Sequence, residues 1–174
     1  MAEEEAAVEG VEEALVVLAE LAKTMDSGKS VSLMIKNTSD AALVDLSAFQ
    51  TSGKIFGIPR NRIDPDRNGT LGFYKTPFGL CGAEGVVVYK MAGRDLYLCI
   101  FYTVPFIGLN GFWIQWVDKF TMATEDLNTA MARNQWEITN QITWHDVDTR
   151  GYRATSFMTQ GDDAKMIVQV SNLN

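Results

Sequence analysis

Residues able to ligate metals or attack substrates are scarce in this chain: two cysteines and one histidine among 174 residues. Cys81 and Cys99 allow one disulfide at most, and their spacing resembles no zinc site. His145 stands between Trp144 and Asp146, with no nucleophile in view for it to activate. The expectation is a protein that is not an enzyme and has no catalytic residue, metal or cofactor. Positive charge is also short. With 15 Lys and Arg against 22 Asp and Glu, the net charge of -7 opposes attraction to phosphate backbones and excludes nucleic acid as a partner. No apolar run reaches the ~18 residues that a membrane-spanning helix needs. The start, Met1-Ala2-Glu3-Glu4-Glu5, lacks the basic and apolar regions of a signal peptide. Together these absences predict a protein soluble as made.

What is present is patterned. The length suits a single domain over residues 1–174, large enough to bury a core without metal or disulfide staples. Residues 4–23 read as an amphipathic helix. On a helical wheel Ala7, Val8, Val11, Ala14, Leu15, Leu18, Leu21 and Ala22 share one face. Glu5, Glu9, Glu12, Glu13 and Glu20 hold the other, with only Val16 intruding. Asp26-Ser27-Gly28-Lys29 breaks the helix and forms a polar linker over 26–29. From residue 30 onward, short runs rich in β-branched and aromatic residues alternate with Gly, Pro, Asn and Asp. Strands are expected over 31–36, 41–49, 70–75, 85–91, 95–104, 112–120 and 165–172, with a second helix near 124–136. The fold class that follows is mostly β: an antiparallel β-sandwich of about ten strands over 30–174, flanked by two helices. Asp64-Pro65-Asp66-Arg67-Asn68-Gly69 imitates half of a calcium loop, but Lys75 stands where the loop's bidentate glutamate belongs. An acidic turn between strands is the expectation there.

One loop stands out on physical grounds. Phe106, Ile107, Leu109, Phe112 and Trp113 fall close together around Gly108 and Gly111, just after Thr103-Val104-Pro105 and before Trp116. Large apolar groups at a turn are costly in water and mark a contact site, and aromatic rings with a polar handle favour the headgroup region of a bilayer.

The order of these pieces resembles the actinoporins, the pore-forming cytolysins of sea anemones, and their relatives in fish, molluscs and mosses. The resemblance spans nearly the whole chain. It rests on the N-terminal helix, Ser52-Gly53, Gly72-Phe73-Tyr74-Lys75, Gly85-Val86-Val87-Val88-Tyr89, Phe101-Tyr102-Thr103-Val104-Pro105, Trp144-His145 and Gly151-Tyr152. It implies a phosphocholine pocket at Ser52, Val86, Thr103 and Pro105, with Trp113 nearby and Phe106, Phe112 and Trp116 in the membrane-facing loop. It also places Asn128, Ala132 and Arg133 where the family carries tyrosines. The function implied is a protein released to a target membrane, which binds lipid through that loop and self-associates. Its N-terminal helix then inserts, with Glu5, Glu9, Glu12, Glu13 and Glu20 lining a cation-permeable pore. The alternative implied by the same architecture is a non-lytic module that binds a lipid headgroup or a glycan.

Overall fold

Period-two alternation sorts most strands into an inward and an outward set of side chains. In β1 (Ser30–Asn37), Val31, Leu33 and Ile35 point to one side while Ser32 and Met34 point to the other. Both sides are buried, because a second sheet covers the first set and a helix covers the other. In the computed structural model, residues 10–137 and 144–173 are described.

The strands after β1 are β2 (Leu43–Ser52), β3 (Lys54–Phe56), β4 (Arg67–Tyr74), β5 (Ala83–Met91), β6 (Tyr97–Val104), β7 (Gly111–Val117), β8 (Trp136–Glu137), β9 (His145–Asp148), β10 (Tyr152–Met158) and β11 (Asp163–Asn172). One sheet has the order β3-β4-β1-β11-β10-β9 and the other β2-β5-β6-β7-β8. Pairing is antiparallel throughout except for β1 with β11, which run parallel from Ser30 opposite Asp163 to Asn37 opposite Val170. Phe73, Tyr89, Tyr102, Phe112 and Tyr152 fill the space between the sheets, with Phe73 stacked on Tyr102 at 4.3 Å.

Helix α1 (Val11–Met25) lies on the outer face of the first sheet, burying Ala14, Leu18, Ala22 and Met25. Its predicted positions 4–9, which include Glu5 and Glu9, lie outside the described residues. It stops where Asp26 adopts a left-handed backbone (φ 45) and returns its N–H to the carbonyl of Ala22. Helix α2 (Glu125–Ala132) packs on the outer face of the second sheet, its first turn capped by the Thr124 hydroxyl accepting from the Leu127 N–H. The second helix is shorter than the expected 124–136, because Trp136 already pairs with Phe112 as β8. The mostly β sandwich with two flanking helices is therefore the fold of the chain. Strands β3, β8, β9 and β10 were not in the expected set. The first three are too short to show a period, and β10 carries Arg153 and Thr155 on its outward side. Of the acidic stretch at 64–69, Asp64-Pro65-Asp66 forms the turn that leads into β4, with Asp66 at φ 60 and the Arg67 N–H donating to the Asp64 carbonyl, and 67–69 are already strand.

Candidate functional site

Four strands end or begin together at one end of the sandwich. Ala83 of β5 lies opposite Val104 of β6, and Thr103 opposite Gly111 of β7, while β4 leaves the first sheet at Tyr74. The loops 75–82 and 105–110 therefore emerge side by side. They touch through backbone, since a Cβ on Gly82 would lie 1.8 Å from the Val104 carbonyl oxygen. Each loop carries large apolar groups outward. Phe78 and Leu80 are exposed on the first, and Phe106, Ile107 and Leu109 on the second, with Leu80 at 82% and Ile107 at 84% of full exposure. Phe78 is held out by a left-handed backbone (φ 60), a conformation that a bulky side chain adopts at a cost.

Between these loops opens a cleft of about 390 Å³, walled by Leu80, Pro105, Phe106 and Ile107. Its floor is polar. Ser52 lies opposite Glu84, and Glu84 opposite Thr103, so three oxygen-bearing side chains cross adjacent strands β2, β5 and β6 in one row. Ser52 reaches this row because β2 shifts register between Gln50 and Ser52, which moves it one position along β5. The Glu84 carboxylate is held from the side by Asn128 of α2, whose amide donates at 3.0 Å. Behind the row, the buried Tyr102 hydroxyl lies 2.5 Å from where a side chain on Gly85 would begin, and both burial and the Glu84 charge push its pKa up.

The structure brings four of the expected contact residues, Ser52, Thr103, Pro105 and Phe106, into this cleft. It separates the other four. Val86 is fully buried one row along β5, in the cluster under α2. Phe112 is fully buried between the sheets and meets the His145 ring edge-on at 5.4 Å. These two are therefore core residues rather than surface contacts, because alternation along β5 and β7 turns both toward packed layers. Trp113 and Trp116 line a second cleft of about 430 Å³ beside β9, their indole N–H groups donating to Gln115 and to the Val147 carbonyl. His145 loses basicity through burial, partly offset by Asp146.

Sequence reasoning missed Phe78, Leu80 and Glu84. The run Thr76-Pro77-Phe78-Gly79-Leu80 has the composition of the Pro105 loop, apolar groups among turn residues, and could have been read the same way. Glu84 gave no local signal, since only cross-strand pairing places it in a cleft.

Solved structures share this architecture. The chain superposes on the lipid-binding protein Nakanori with a TM-score of 0.75 at 12% identity, covering 98% of this chain and 85% of that one. It is similar to IP-1A from Alcaligenes faecalis at a TM-score of 0.50 and 9% identity, covering 88% and 97% of the two chains. The lectin XCL of Xerocomus chrysenteron aligns at 0.47 with 12% identity over 83% and 99%. No protein-family model matches the chain, and no curated protein matches it in sequence. At such identities the likeness to Nakanori establishes the fold, a two-sheet β-sandwich flanked by two helices, and nothing finer.

Proposed function

We propose that the chain binds membrane lipid by docking the paired loops 75–82 and 105–110 on a bilayer, and that docking precedes release of α1 and assembly of a cation-permeable pore. The observation that carries the docking is the tip itself: five large apolar side chains exposed on two touching loops around a polar-floored cleft. Support for the second step is the placement of the linker 26–29, the hinge about which α1 would move. The linker after α1 meets β4 at this same end, where the Lys75 N–H donates to the Lys29 carbonyl and Lys29 pairs with Asp162. Only Ala14, Leu18, Ala22 and Met25 of α1 are buried, Ala14 and Leu18 against Met34, Phe157 and Ile167 of the first sheet and Met25 beside Gly72, so four side chains carry the burial of the helix. Glu12, Glu13 and Glu20 face solvent, as a pore-lining face requires.

The fifteen residues of α1 span roughly 22 Å, less than the ~30 Å of hydrocarbon, and among the described residues no helix is long and apolar enough to cross a membrane. The packing of Ala14 and Leu18 on Met34, Phe157 and Ile167 favours a second reading, a non-lytic lipid-headgroup or glycan module with α1 left in place. Vesicles loaded with dye separate the two. Co-sedimentation with dye release is expected for the pore; co-sedimentation with sealed vesicles leaves the docking and removes the pore; no co-sedimentation overturns both.

A thiol probe tests the docked orientation directly. Cys81 is exposed on the first loop, whereas Cys99 is buried on β6 and its thiol is pushed up to about 12 by burial. A water-soluble maleimide is expected to label Cys81 alone in free protein, and to label it about tenfold more slowly on vesicles. Unchanged labelling on vesicles that bind the protein would place the contact elsewhere.

A further inference from the structure

We infer that the cleft recognises the primary ammonium of an ethanolamine phospholipid headgroup, with Glu84 as its counter-ion. This rests on the docking reading above and adds the chemistry of the headgroup. Among the described residues, no lysine or arginine pairs with Glu84, and its sole hydrogen-bond partner is the neutral Asn128 amide. In free protein, water solvates that carboxylate. Docking the apolar rim on a bilayer removes much of the water, and a carboxylate leaving water needs a cation or it opposes the move. The headgroup is the cation available there.

The shape of the floor selects which cation. Ser52 and Thr103 flank Glu84, each opposite it on a neighbouring strand, and neighbouring strands are spaced about 4.8 Å apart. Neither hydroxyl has a hydrogen-bond partner among the described residues. A primary ammonium carries three N–H donors and can be shared by three such oxygens. A quaternary ammonium has no donor and is held by aromatic faces, of which this cleft has one, Phe106. The position on α2 that could supply another ring over the row is Asn128, and its amide is committed to Glu84.

The test uses the full chain and vesicles of phosphatidylcholine containing phosphatidylethanolamine or its N-methyl and N,N-dimethyl derivatives. Charge stays constant along this series while donors are removed one at a time. Binding is expected to be about tenfold or more tighter to the ethanolamine vesicles than to pure phosphatidylcholine, falling stepwise with methylation. Glu84→Gln, which keeps size and can still accept from Asn128, is expected to erase that preference while circular dichroism stays unchanged. Ser52→Ala and Thr103→Val are each expected to reduce it several-fold. Equal binding across the series, or a preference that Glu84→Gln retains, overturns the inference and leaves the docking intact. Failure to bind any of these vesicles overturns the docking reading as well.

Discussion

Replacing Leu80 and Ile107 together by serine is expected to weaken binding to lipid vesicles by about 100-fold or more, with the unfolding temperature within about 2 °C of the parent. The magnitude follows from burial. Moving a Leu or Ile side chain out of water is worth about 1.5–3 kcal/mol, so losing two such transfers costs about 3–6 kcal/mol of bilayer affinity. Stability is spared because both side chains stand clear of the fold, at 82% and 84% exposure, and surface changes of that kind fall within about 0.5 kcal/mol. The control is Ile58→Ser. Ile58 is still more exposed, at 98%, but it follows β3, which runs from Lys54 opposite Tyr74 to Phe56 opposite Gly72 and so leads away from the end that carries the paired loops. If Ile58→Ser weakens binding as much as the double replacement, the attraction is general hydrophobicity and the tip has no special role. If the double replacement binds normally, the bilayer contact lies on another face.

The sequence carried the layers of the fold further than it carried the site. The seven expected strands all form, because each is long enough for alternation or for a β-branched run to be visible, as in Gly85-Val86-Val87-Val88-Tyr89. What stayed hidden was which neighbours those strands take. Phe112, Trp113 and Trp116 belong to one aromatic cluster in the sequence, yet β7 sends Phe112 and Trp116 toward the inter-sheet core and Trp113 toward α2. A loop reading assigned all three to one surface, and one register rule divides them. The converse holds for the cleft floor. Ser52, Glu84 and Thr103 come from three separate strands, and the shift in β2 that aligns Ser52 has no signature in Gln50-Thr51-Ser52. Asn128, which the resemblance marked as a departure, has a structural reason of its own as the residue that orients Glu84.

Gly82→Ala is the single substitution expected to damage both the tip and the fold. Glycines differ sharply in what surrounds them. A Cβ on Gly28 would meet nothing within 4 Å, so Gly28→Ala is expected to leave stability nearly unchanged. A Cβ on Gly82 would lie 1.8 Å from the Val104 carbonyl oxygen and 2.9 Å from the Pro105 carbonyl carbon. Both obstacles are backbone, so no side-chain rotation relieves the clash. One of the two loops must move, and either movement strains the start of β5, where Ala83 pairs with Val104. Overpacking against a fixed neighbour typically costs about 1–3 kcal/mol, which in a domain of this size lowers the unfolding temperature by roughly 2–12 °C. The functional cost is expected to be larger, because separating the loops dismantles the cleft wall that places Leu80 and Ile107 on one surface. Thermal unfolding and vesicle co-sedimentation on the same preparation, below its unfolding temperature, measure the two effects separately. A Gly82→Ala protein that binds vesicles as the parent does would mean that the loops dock independently, and that their backbone contact is incidental to membrane binding.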